Sequence, residues 1–317
     1  MVMKFLKYLF KVIIGIILFA VIVVAGDYLR LIVSYNINKD QAVEVFDAQG
    51  LKNKYTPQGL TYSERYNVAI QTSYNKKQLV SKIYITDLDT NKFIKELKLL
   101  NKDGTENNKH VGGIATDDNT VWITNDYYVD VLDLDEIMNT TEDYVQIKES
   151  YKLPNRGDFC LYDKGILWIG DFFLKGIYDC PDDNPLLFGY NLDKEIDYNS
   201  PDIAISLPIM IQGMAMTEDN KFIFSDSYTN FIHSKLTIYE NVLEKEPSTY
   251  KINNKEIPYY KLDKDNLIKT YKVPPMAEGI FLKDKELYVL YESASDTYWM
   301  ALPKLPKVLK YNLKEID

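Results

Sequence analysis

The sequence predicts an all-β fold, a five-bladed β-propeller closed on itself and preceded by one N-terminal transmembrane helix. Three observations carry that reading. First, a unit of roughly fifty residues recurs, a period typical of propellers and solenoids. The units open at Gln58-Gly59-Leu60-Thr61, Gly112-Gly113-Ile114-Ala115, Gly157-Asp158-Phe159-Cys160, Gln212-Gly213-Met214-Ala215 and Glu278-Gly279-Ile280-Phe281. Second, Thr72, Asp126, Asp171, Asp226 and Glu292 each follow thirteen residues after the second member of the opening pair. Third, Met1–Gly26 is basic and then uncharged, unlike anything after it.

The elements follow in chain order. Phe5–Gly26 is apolar apart from Lys7 and Lys11, whose stems can snorkel, and it is long enough to span a bilayer. Lysines before the span predict a cytoplasmic N-terminus and an extracytoplasmic body at the cell membrane. A cleaved signal peptide ending near Val23-Val24-Ala25-Gly26 is the rival, and would leave a secreted body. Residues 1–26 are thus the anchor or signal, 27–39 a linker, and 40–317 the propeller.

Each unit resolves into short alternating runs rich in Tyr, Ile and Val, as strands prefer. Blade one takes Leu60–Tyr62, Val68–Thr72, Lys82–Asp87 and Phe93–Leu99. Blade two takes Ile114–Thr116, Val121–Asn125, Val129–Leu134 and Gln146–Leu153. Blade three takes Phe159–Tyr162, Leu167–Asp171, Leu187–Leu192 and Ile203–Leu207. Blade four takes Met214–Thr217, Phe222–Ser225, Lys235–Glu240 and Leu267–Val273, with Asn241–Asn266 expected as a solvated loop or a docking surface. Blade five has only Ile280–Lys283, Leu287–Tyr291 and Val308–Leu313. The strand-like Ala42–Asp47 is otherwise unemployed and supplies its fourth strand, which leaves no open edge. A degenerate sixth blade is the rival count, and little chain remains for it.

The Gly-apolar openings at Gly59, Gly113, Gly213 and Gly279, each followed by paired strands, resemble those of exported β-propeller proteins of the SMP-30/gluconolactonase-like, NHL-like and YncE-like kinds. The resemblance covers residues 40–317 and is one of fold, which many functions share. SMP-30-like enzymes hold a metal with Glu, Asn and Asp, and five-bladed calcium-dependent apyrases place a cation on the axis. The resemblance therefore implies a metal at the channel.

In a propeller the loops entering the inner strands share a face with those joining second to third strands. That face carries Gln58, His110, Arg156, Gln212 and Glu278, together with Asp126, Asp171, Asp226 and Glu292. Carboxylates gathered at one mouth must be protonated, separated or neutralised. Ca²⁺ or another divalent metal would take oxygens from Asp126, Asp171, Asp226 and Glu278. The bland reading is that these acids bond turn amides and hold blades in register. Phe172 and Trp299 would border the mouth and hold a sugar face or an organic cation. His110 is the candidate general base.

Lys and Arg total 37 against 46 Asp and Glu, and three of those lysines lie in the acid-free N-terminal segment. That balance speaks against nucleic-acid binding. Cys160 and Cys180 are too few to staple the fold, and a bridge between them is weighed against two free thiols. No nucleophile elbow, phosphate-binding loop or dinucleotide fingerprint occurs. Three functions remain open: binding of a small polar or cationic ligand, metal-assisted hydrolysis of a lactone or phosphoester, and docking of an envelope protein.

Overall fold

The computed structural model describes residues 2–37, 42–77, 79–180 and 183–313. Helix α1 spans Val2–Ile37 and is long and apolar enough to cross a membrane, with none of its apolar window buried in protein. At 1.5 Å per residue it is about 54 Å long. It does not stop at Gly26: it continues to Ile37, through most of the segment expected as linker. The remainder of that segment, 38–39, lies outside the described residues.

After β1 (Ala42–Asp47) come five blades. Blade one is β2 (Tyr55–Ser63), β3 (Val68–Asn75), β4 (Lys82–Asp87) and β5 (Phe93–Leu100). Blade two is β6 (Gly113–Thr116), β7 (Thr120–Asn125), β8 (Tyr128–Asp133) and, after α2 (Leu134–Asn139) and β9 (Tyr144–Gln146), β10 (Glu149–Lys152). Blade three is β11 (Phe159–Asp163), β12 (Ile166–Gly170), β13 (Leu186–Asn191) and β14 (Ile203–Ser206). Blade four is β15 (Ile211–Met216), β16 (Phe222–Asp226) and β17 (Ser234–Tyr239). It is completed, after β18 (Ser248–Ile252) and β19 (Lys255–Tyr260), by β20 (Leu267–Val273). Blade five is β21 (Ala277–Lys283), β22 (Glu286–Tyr291) and β23 (Lys307–Asn312), with β1 as its outermost strand. β1 runs antiparallel to β23, with Val43 opposite Lys310 and Glu44 opposite Leu309, so the ring closes as the sequence predicts.

Two expectations fail. The run Gln146–Leu153 is not one strand. β9 leaves blade two and pairs in parallel with β5 of blade one, while β10 alone completes blade two. The cause is α2, capped by the Asp133 side chain accepting from the Glu136 amide at 2.9 Å, which redirects the chain toward its neighbour. The insertion Asn241–Asn266 is not a loop either. β18 and β19 form a hairpin, and β19 pairs in parallel with β14 of blade three.

The core is divided among the blade interfaces, each with its own buried cluster. Ile70, Ile83 and Leu97 of blade one meet Val121, Ile123 and Leu132 of blade two. Phe46 of β1 packs with Leu60, Leu290 and Val308, joining the last blade to the first. The repeated glycines mark where inner strands abut around the axis. A Cβ on Gly279 would lie 2.4 Å from the Leu60 amide nitrogen, and one on Gly113 would lie 2.6 Å from that of Cys160. No side chain fits there, which is why the repeat keeps glycine at those openings. Hydroxyls then fix the register between blades. Thr72 Oγ1 donates to Val111 O at 2.9 Å, and Ser225 Oγ donates to Glu278 O at 2.7 Å.

Candidate functional site

The bulged starts of β2 and β21, the start of β15 and the end of β22 bring four predicted residues together. Gln58 Nε2 donates to Glu292 Oε2 at 2.9 Å, and Gln212 Nε2 donates to Glu278 Oε1 at 3.2 Å. Glu278 and Glu292 are hydrogen-bonded to each other and nearly sealed from solvent. Burial raises both carboxyls, Glu292 to about 7, and the charge on Glu292 pushes Glu278 further up. The pair therefore keeps a proton at neutral pH, with Glu278 donating it to Glu292.

Two tyrosines belong to this cluster. Tyr298 is a hydrogen-bond partner of both Glu292 and Tyr74, and burial beside Glu292 drives its own pKa far up. Burial, then Glu292, pushes the Tyr74 phenol up to about 12. Tyr74 also packs against His110, with ring centroids 4.5 Å apart. His110 is solvent-exposed on its outer side, and packing of protein around it lowers its pKa from 6.5 against the opposing pull of Asp126.

The other predicted acids do not join. Arg156 holds Asp158 at 2.9 Å and Asp126 at 3.9 Å, and its guanidinium lies 5.1 Å from the Tyr178 ring centre. Asp171 accepts from the Arg156 amide at 2.9 Å, and burial followed by the nearby Asp158 raises it to about 7. Burial raises Asp158 to about 6 despite Arg156. Asp226 pairs with Lys235 at 3.2 Å. The expected metal quartet of Asp126, Asp171, Asp226 and Glu278 is thus divided, each acid having its own partner. Among the described residues no three His, Cys, Asp or Glu side chains converge as a metal requires.

Phe172 is buried against Tyr178 and Tyr228, with ring centroids 5.3 and 6.0 Å away. Trp299 is 75% exposed in the loop between β22 and β23. Cys160 is buried and Cys180 partly exposed, and both thiols are free. A cavity of about 670 Å³ opens at the opposite mouth, among the β2–β3, β6–β7, β11–β12, β15–β16 and β21–β22 hairpins. Its charged border includes Asp118, Asp163, Lys164, Asp219 and Asp284.

Sequence reasoning found the glutamates and glutamines because the repeat places them. Tyr74 escaped it, since β3 runs on to Asn75, past the expected end at Thr72. Tyr298 escaped it too: it lies beside Trp299 in the β22–β23 loop, and nothing in its spacing shows that it reaches Glu292.

Neither a known protein family nor any curated protein matches the sequence. Among solved structures, the chain is similar to glutaminyl cyclase from Myxococcus xanthus. That likeness has a TM-score of 0.50 and 8% identity, over 85% of this chain and 94% of that one. It is also similar to the PQQ-bound aldose sugar dehydrogenase of Streptomyces coelicolor, with a TM-score of 0.48 and 11% identity over 84% and 96% of the two chains. At such identities the likeness is one of fold. Five blades around one axis, the last completed by an antiparallel strand from the other end of the domain, make the fold a five-bladed β-propeller, and the likeness to the glutaminyl cyclase structure agrees with that fold.

Proposed function

We propose that this protein is a membrane-anchored, extracytoplasmic propeller that binds a small organic cation at the Glu278–Glu292 pair. The observation that carries the reading is the pair itself. Two buried carboxyls share a proton, and Gln58 and Gln212 hold one oxygen of each. A pair holding one proton carries a single negative charge, matched to a monocation such as an amine. Carboxyls so perturbed, lying together in one cluster, are candidates for a functional site. Tyr74 and Tyr298 offer ring faces for cation–π attraction.

Calorimetric titration of the full chain with tetramethylammonium, ethanolamine, Ca²⁺ and Mn²⁺ at pH 6 and pH 8 tests the assignment. An organic cation should bind more tightly at pH 8, because Glu292 titrates near 7 and the pair gains its single negative charge as Glu292 ionises while Glu278 keeps its proton, and Glu292→Gln should abolish binding. Heat from Ca²⁺ or Mn²⁺ alone would reassign the site to a metal. No heat from any probe would leave the pair a structural clasp between blades.

A hydrolase would use the same cluster differently. A carboxyl titrating near 7 beside a protonated one suits general acid–base work, and neutral His110 suits a base. Turnover of a lactone or phosphoester lost in Glu292→Gln would favour that reading.

A further inference from the structure

The far end of α1 docks on the propeller. Tyr28 Oη donates to Met300 O at 2.5 Å, and the Tyr28 and Phe231 rings lie 5.7 Å apart. Leu31 is fully buried. Met300 and Phe231 belong to the β22–β23 and β16–β17 loops, so the helix meets the face that bears the Glu278–Glu292 pair.

The same face carries exposed apolar side chains on every blade. Leu79, Tyr127, Ile177, Ile232 and Trp299 lie in the five loops joining second to third strands, and the last three are 59%, 61% and 75% exposed. At the opposite mouth the five inner hairpins carry no exposed large hydrophobic residue among the described residues. Their turns bear charges, Glu64, Lys164, Glu218, Asp284 and Lys285 among them.

The spacing fixes what covers the apolar face. No charge occurs between Lys11 and Asp27, and Tyr28 follows at once. Tyr28 lies four positions beyond Val24, about 6 Å along the helix. Apolar surface at membrane interfaces settles about 5–10 Å into the boundary of headgroups and chains. A helix that spans the bilayer up to Gly26 therefore holds its docked loops at headgroup depth.

We propose that this apolar face rests on the bilayer that α1 spans, with Ile177, Ile232 and Trp299 inserted at the interface and the candidate site facing the lipid. The proposal rests on the anchor reading above.

Trp299 is its own reporter, because Trp122 and Trp168, the other two tryptophans, are sealed in the core. The full chain is reconstituted in phosphatidylcholine nanodiscs containing lipids brominated near the headgroup or near the chain end. The Trp299 signal is the emission lost in Trp299→Phe. Quenching of that signal, greater for the shallow bromines and diminished in the Ile177→Asp/Ile232→Asp double variant, is the expected result. A chain that incorporates while Trp299 stays unquenched overturns the proposal and hands the face to a protein partner or a second copy. A chain that fails to incorporate overturns the anchor reading as well.

Discussion

Glu278 and Glu292 show how far single residues were legible. The repeat puts both at openings and strand ends, so their meeting at one mouth follows from spacing alone. Their protonation does not, since it depends on burial that only the packed ring supplies. Arg156 is the converse case: nothing in its spacing says that it holds both Asp158 and Asp126 and so breaks the expected ring of acids. These environments have a consequence for pH. Glu292 and Asp171 titrate near 7 when folded, against 4.5 and 3.8 unperturbed, and Asp158 near 6. Between those limits the folded protein binds more protons than the unfolded chain, so stability must fall as pH rises. The contribution is full below the unperturbed values and gone once the folded ones are passed. Melting temperature should therefore decline from pH 5 to pH 8, and the decline should be shallower in Glu292→Gln. A rise over that range would contradict the buried, protonated pair.

Among the elements, the four-strand pattern was readable because antiparallel neighbours are close in sequence or end on recognisable turns. The two added strands were not. β9 and β19 pair in parallel with the neighbouring blade, and parallel pairing at long range leaves no local turn signature. Ala42–Asp47 was identified only by elimination, and its anchor is Phe46, which is 2% exposed against Leu60, Leu290 and Val308. Removing a buried phenylalanine ring costs about 3–5 kcal/mol. Phe46→Ala should therefore destabilise the propeller by about that amount in denaturant titration. Loss of far less would mean that the closing strand is peripheral to the stability of the ring.

For the whole molecule, the proposed topology rests on the charge pattern. Lys4, Lys7 and Lys11 cluster at the start of the apolar span, the arrangement that by the positive-inside rule goes with a cytoplasmic N-terminus and an extracytoplasmic propeller. A membrane-impermeant amine reagent applied to intact cells should label exposed lysines such as Lys251 on a body that stays in the membrane fraction. Labelling only after permeabilisation would reverse the orientation, and labelled body in the medium would mean that the helix is cleaved. The joining of Glu44 to Leu309 also bears on how the chain is made. Synthesis runs from the N-terminus, and β1 is the first piece of the propeller to emerge while its partner is the last. Every blade must be translated before the ring can close. Through that interval β1 waits close behind α1 with its pairing edge unfilled, a state in which unpaired edges invite misassembly. In the anchored form proposed above, the tether would keep that strand near the site of emergence until β23 arrives.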